Sequence, residues 1–271
     1  LFRFPSLRAA VLNADDPLSS ELAARAEAGV ATLTYSAAGA SADVRAGRIE
    51  LSEAGLRFHL ASPWGSAVLR CPLIGAFNLQ DTLAALACGW GEGLAVDGML
   101  ERLGRFPGAR GRMERVEAGQ DFTVLIDYLH TPAAYAKALD LLRPLVPGRL
   151  ITVFGCEGNR DAATRPVLAR LVAEKSDQAI ATADNPRKEP VLAIFEEMRR
   201  GNGDLLQLEF IEDRRAAIAR AVEVARPGDL VLLAGKGHET FQEYADSVVP
   251  FDDRAVLRET VRRNREEHGA F

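Results

Sequence analysis

Residues 122–155 read FTVLIDYLHTPAAYAKALDLLRPLVPGRLITVFG, and their rhythm decides the fold. FTVLIDY is a short apolar run closed by polar groups. TPAAYAKALDLLRPL carries apolar residues at helical spacing, and RLITVFG is a second apolar run. The alternation continues through helix ATRPVLARLVAEK, strand QAIATA and helix PVLAIFEEMRR. Strand LQLEFI, helix DRRAAIARAVEVA, strand DLVLLAG and a helical region from Asp252 complete it. Continuous apolar strands alternating with amphipathic helices predict a mostly parallel, Rossmann-like sheet covered on both faces. In such sheets ligands sit beyond the carboxyl ends of the strands. The loops to read are therefore DYLHTP, GCEGNRDAATRP, ADNPRKEP, EDRR and GKGHET.

Upstream the pattern differs. RAAVLNADDP reads as a buried strand and LSSELAARAEAG as a helix closed by Gly29. ATLTYSA, ADVRAGRIELSEAGLRFHLAS and GSAVLRCPL are β-rich, with a Glu-Ala-Gly turn inside the second. NLQDTLAALACGWGEG predicts a helix capped by Asn78, with its glycines following Ala87. GRFPGARGRME, crowded with glycine and arginine around Pro107, is the candidate hinge. The expected domains are residues 1–108 and 109–271.

Composition narrows the function classes. The 271 residues suffice for one large or two ordinary domains, and 48% hydrophobic with 26% charged residues is globular material. A net charge of −5 argues against a nucleic-acid partner, which selects for a basic surplus. No apolar run approaches the roughly 18 residues of a membrane span. Cys71, Cys88 and Cys156 lack metal-ligand spacing and read as reduced thiols of a cytoplasmic protein. Lys236 is followed by Gly237 where a phosphate loop needs Ser or Thr, and GCEGNR is not GxGxxG. The chain starts without methionine or a signal design, which predicts a start in mid-domain.

The strand-exit loops hold more than helix caps require. One Asp or Asn per loop is a cap, yet Arg160, Asp161, Asn185, Arg187, Lys236, His238 and Glu239 are all expected at one sheet edge. A guanidinium takes a carboxylate bidentately while a carboxylate receives an ammonium, so this set suits a zwitterion.

GAFNLQDTLAALA, GRMERV, DYLHTP, VFGCEGNRD, ADNPR, GKGHETFQ and FDDR, in this order and at these distances, resemble the Mur ligases. The resemblance implies the end of a central ATP-binding domain followed by a complete Rossmann-like C-terminal domain. It also implies ATP- and Mg2+-dependent amide formation in peptidoglycan precursor synthesis. In that reaction meso-diaminopimelate joins UDP-N-acetylmuramoyl-L-alanyl-D-glutamate through an acyl phosphate. By the same resemblance Asp184, Asn185, Pro186 and Arg187 form the diamino-acid loop, and Arg187 takes the distal carboxylate. Arg160, Gly235 and Glu239 complete that site, Glu239 facing the distal ammonium. Asn78 resembles an adenine contact, and Arg112 and Asp127 resemble contacts to phosphate and ribose. His130 lies near the nucleotide in this reading, and reads equally as a partner of the local cap. No catalytic residue and no metal ligand is expected within the chain.

Departures from the family pattern are Asp81, Leu129, Glu157 (in place of a glycine) and Thr164. The family's phosphate loop, magnesium ligands and modified lysine are expected upstream of Leu1, so the isolated chain is expected to be inactive and monomeric. Two other readings stay open: a non-catalytic amino-acid-binding module of this ancestry, and the same ligase using lysine or ornithine.

Overall fold

The computed structural model describes residues 7–26, 29–200 and 208–268. The chain divides into two compact units, residues 1–107 and 108–271.

The first unit is a five-stranded sheet in chain order, covered by helices. β1 (Ala9–Asn13), β2 (Ala31–Ser36) and β3 (Val44–Ser52) run parallel. β4 (Gly55–Ser62) and β5 (Gly65–Cys71) return antiparallel through tight turns. Alternation sets the register: Phe58 and Leu60 of β4 and Leu69 and Cys71 of β5 point inward. They meet Leu79, Leu83, Leu86 and Ala87 of α2 (Ala76–Gly91).

Three readings of this unit change. α1 spans Ser19–Ala24 and ends against Arg25, not Gly29; Glu27 and Ala28 lie outside the described residues. α2 starts before Asn78, because Gly75, at φ +104, makes the entry turn that a cap would have made. Asn78 sits inside the helix and donates from Nδ2 to the Ile74 carbonyl at 2.7 Å. Gly89 and Gly91 also belong to the helix. Gly89 faces the flexible Met99 thioether of α3 (Val96–Arg105). α3 takes in Gly104 and Arg105, which shortens the extended stretch of the expected hinge to Phe106–Ala109.

The second unit is a six-stranded sheet in the order β10-β9-β8-β11-β7-β6. β7 (Thr123–Asp127), β8 (Leu150–Phe154), β9 (Gln178–Ala181), β10 (Leu208–Phe210) and β11 (Leu230–Ala234) are parallel. The two-residue β6 (Glu114–Arg115) adds an antiparallel edge. α4 (Pro132–Leu142), α5 (Thr164–Lys175) and α6 (Val191–Arg199) pack side by side, and α7 (Arg214–Val224) packs with α8 (Asp253–His268). Val124 and Ile126 of β7 and Val231 and Leu233 of β11 share one apolar cluster with α7 and α8. Their alternating neighbours Leu125, Leu230 and Leu232 must serve the opposite face, and all are buried. This is the Rossmann-like, mostly parallel α/β fold that the apolar rhythm predicts.

Chain order reverses at β11, which inserts between β8 and β7 after the chain has stepped outward to β10. The exits of β8, β11 and β7 therefore diverge around a crevice, the usual ligand position in such sheets. A hairpin, β12 (Phe241–Tyr244) with β13 (Ser247–Pro250), follows the β11 exit.

Candidate amino-acid and nucleotide sites

Three strand-exit loops lock together at the carboxyl edge of the second sheet. The Gly158 N–H donates to the Asn185 carbonyl at 2.9 Å, and a Cβ at Gly158 would collide with the Pro186 carbonyl. Asn185 is buried and its side chain makes three hydrogen bonds. Its Oδ1 accepts from Lys236 Nζ at 2.9 Å and from the Glu243 N–H at 3.1 Å, and its Nδ2 donates to Glu239 Oε2 at 2.9 Å. Gly235, at φ +109, lies against the Asp184 carboxylate, where any side chain would collide. The β12 hairpin closes the set, with the Arg187 N–H donating to the Glu243 carbonyl at 2.9 Å.

Among the expected diamino-acid residues, Asp184, Asn185, Pro186, Arg187, Gly235 and Glu239 come together in this network. Arg160 reaches it through Glu157: its Nε donates to Glu157 Oε2 at 2.7 Å. Two expectations of side-chain placement change. Lys236 does not project from the edge but is fully buried, salt-bridged to Glu239 Oε2 at 3.0 Å and 3.6 Å from Asp184 Oδ1. Glu239 keeps one oxygen on Lys236 and Asn185, so only the other is left to receive an ammonium.

The electrostatics follow from burial and partners. Burial would raise the Glu239 carboxyl, but hydrogen bonds from Asn185 and Lys236 outweigh it and hold the group below its ordinary range. Asp184 goes the other way: complete burial raises it despite Arg214 and Lys236 nearby. Both Asp184 oxygens lack a hydrogen-bond partner among the described residues. A buried carboxyl group without donors is a costly arrangement that a ligand donor would relieve. Arg187 is half-buried at φ +51 and spends its guanidinium on Glu157 at 2.8 Å, Glu243 at 3.1 Å and the Gly158 carbonyl at 3.1 Å. Its near neighbour Glu189 pairs with the buried Arg165 at 2.7 Å.

Arg112, Asp127 and His130 gather around Tyr128 at the β7 exit. The exposed Arg112 lies 5.2 Å from the Tyr128 ring centre, and the His130 ring meets that ring edge-on at 4.1 Å. His130 Nε2 is buried with no partner among the described residues. Asp127 Oδ2 accepts from the Met113 N–H at 2.6 Å. Burial pushes its carboxyl up to about 6, against the opposing pull of that hydrogen bond and Arg112. Asn78 belongs to the first unit and is described there.

The FDDR motif is structural. Arg254 joins Glu114 at 2.5 Å, Asp252 at 3.1 Å and the Gly237 carbonyl at 2.9 Å, tying GRMERV to GKGHE. Cys156 is buried, and that burial pushes its thiol up to about 12. Among the described residues the cluster sets carboxylates and cations side by side, and leaves the Asp184 oxygens and His130 Nε2 without hydrogen-bond partners. Glu243 escaped the motif reading because its role depends on the hairpin. Glu157 stood out only as a charged residue where a glycine is usual.

Fold and site together define an α/β domain with a cluster of opposite charges at the strand exits beside its topological switch point. Residues 1–89 match the family model of the Mur ligase middle domain, and residues 111–237 that of the Mur ligase, glutamate ligase domain. The chain belongs to the Mur ligase family. It is 43% identical over 265 residues to the UDP-N-acetylmuramyl-tripeptide synthetase of Roseiflexus sp. (strain RS-1), covering 95% of this chain and 52% of that protein. It is also 43% identical over 256 residues to the UDP-N-acetylmuramoyl-L-alanyl-D-glutamate--2,6-diaminopimelate ligase of Solibacter usitatus (strain Ellin6076), covering 94% of this chain and 51% of that one. A solved structure of a ligase with the same diaminopimelate name superposes with a TM-score of 0.71 at 34% identity, covering 97% of this chain and 55% of the other. The chain thus spans about half the length of the curated relatives it matches.

Proposed function

We propose that this chain is part of an ATP-dependent ligase that adds a diamino acid to UDP-N-acetylmuramoyl-L-alanyl-D-glutamate, and that the acceptor is meso-diaminopimelate. The observation carrying this reading is the convergence of the ADNPR, GCEGNRD and GKGHE loops into one hydrogen-bonded amphoteric cluster at the strand exits. Residues 1–108 serve as the end of the central nucleotide domain and residues 109–271 as the acceptor-binding domain, in a monomer acting in the cytoplasm. No described helix is long and apolar enough to cross a membrane.

The reaction runs in two displacements. A glutamyl carboxylate oxygen attacks the γ-phosphorus of ATP and ADP leaves. The acceptor amine, having lost its proton, then attacks the acyl carbon, and inorganic phosphate leaves as the amide forms. Phosphorylation replaces an oxide that cannot leave with one that can. What remains is positioning, and the contribution of this chain is to hold the amine in line. Arg112 and His130 offer a guanidinium and an unpartnered ring nitrogen to the nucleotide, beside Asp127; Asn78 is the proposed adenine contact. Magnesium would neutralise phosphate charge when bound; the metal and most of the ATP contacts belong, in this proposal, to the half of the relatives that this chain does not span.

A second reading, lysine or ornithine as acceptor, is favoured by one observation: Arg187 already lies between two carboxylates. The test is Arg187→Ala in the full-length enzyme. Losing one partner of a desolvated charged pair costs about 2–5 kcal/mol, so kcat/KM for diaminopimelate should fall at least about 30-fold. Lysine, which has no distal carboxylate, should be little affected. Equal losses on both acceptors would sink the recognition role of Arg187.

A further inference from the structure

Glu157 is the one departure from the family pattern that stands inside the acceptor pocket. Its side chain is 6% exposed, yet it is shared between two guanidinium groups from different loops. Oε1 accepts from Arg187 at 2.8 Å and Oε2 from Arg160 at 2.7 Å. Two arginines converging on one carboxylate is the geometry that an acceptor's distal carboxylate would itself need. The protein thus supplies from its own chain the group that the pocket is built to receive.

We infer that Glu157 sets acceptor selectivity by competing with the distal carboxylate of the acceptor for Arg187 and Arg160. This rests on the reading of the pocket as the diamino-acid site. An acceptor carboxylate that takes both guanidinium groups displaces Glu157 from Arg187 Nη2 and Arg160 Nε. The displaced Glu157 stays buried without its cations, because Glu239 receives the acceptor's ammonium. An acceptor with a terminal ammonium alone meets Glu239 and leaves both arginines in place. Glu157 therefore shifts preference toward diamino monocarboxylic acids such as ornithine and lysine, relative to the same pocket without it.

The charge inventory agrees. Arg187 faces Glu157 and Glu243, Arg160 faces Glu157, and Lys236 faces Glu239 and Asp184. Each cation in the pocket already has a carboxylate, and a further carboxylate enters without an unpaired cation to meet it.

The experiment measures kcat/KM of the full-length enzyme for meso-diaminopimelate and for ornithine in wild type, Glu157→Gln and Glu157→Ala. Glutamine keeps the volume and a hydrogen-bond acceptor for Arg187, guarding against collapse of the loops; alanine opens the space. Both variants should raise the ratio of diaminopimelate to ornithine at least about tenfold, equivalent to about 1.4 kcal/mol. The change should appear in KM for the acceptors, with KM for ATP unchanged. An unchanged ratio, or parallel losses on both acceptors, would overturn the selectivity role and leave Glu157 as a brace between loops. Wild-type enzyme that turns over neither diamino acid would overturn the acceptor-site reading itself, a result distinct from an unchanged ratio.

Discussion

Arg214 and Arg187 are both held by carboxylates, and they illustrate opposite uses of the same pair. Arg214, at the start of α7, is fully buried with Asp253 at the start of α8, through bonds of 2.8 and 2.7 Å. Its Nη2 also donates to the Ala234 carbonyl at the end of β11. Nothing from solvent reaches that pair, so it fixes two helices to the strand whose exit builds the pocket. Arg187 is a quarter exposed and its partner Glu243 nearly half exposed. Its pairs can open toward a ligand at modest cost. Burial separates the scaffold from the receptor more clearly than chemistry does.

Arg214→Ala tests the scaffold arm most severely. It leaves Asp253 buried without its cation, which typically costs 3–5 kcal/mol. Urea unfolding should show a loss of about that size. The contrast fails if this loss is no larger than that of Arg187→Ala.

Asp127 is a buried acid whose neighbouring cation, Arg112, stays exposed. Its folded pKa of about 6 lies above the ordinary 3.8. Native protein therefore binds the proton more tightly than unfolded chain does, and this contribution is full below about pH 4 and lost as pH rises through about 6. Two units correspond to on the order of 2–3 kcal/mol. Asp127→Asn has no such titration, so stability of the variant relative to wild type should rise by that amount between pH 4 and 7. Parallel stability–pH curves for the two proteins would refute it.

The smallest effect belongs to the receptor arm. Arg187→Ala should cost only about 1 kcal/mol of stability, since Glu157 keeps Arg160 and Glu243 turns to water. Thermal melting that drops as far as for Arg214→Ala would make Arg187 part of the scaffold.

The strands of the second sheet were legible because burial on both faces leaves LVLLA wholly apolar and LITVF interrupted only by the buried Thr152. The strand-exit loops were legible for the same reason, since topology fixes where they must gather. α3 was not, because VDGMLERLGR contains two glycines and buries no residue fully. β12 and β13 were missed since Phe241, Tyr244, Val248 and Val249 are exposed and show no buried face. The entry to α2 was misread because a glycine with positive φ can replace a polar cap. Within the pocket, residue types pointed to a zwitterion, but partners did not follow from sequence. Glu157 meets Arg187 across 30 positions and Lys236 meets Asn185 across 51, distances that only the folded sheet closes.

The burial of Lys236 has a practical consequence for amine chemistry. The chain has four lysines: Lys137, Lys175, Lys188 and Lys236. Lys137 and Lys188 are exposed and the Lys175 side chain is about one third exposed, whereas Lys236 has no accessible surface. An acylating reagent should therefore label the first three in the native protein and spare the fourth. Because Lys236 is shut in by Asn185, Asp184 and Glu239, its acylation can proceed only when those loops part. Mass-spectrometric labelling at that single amine thus acts as a clock for opening of the pocket, read in the protein without any engineered probe.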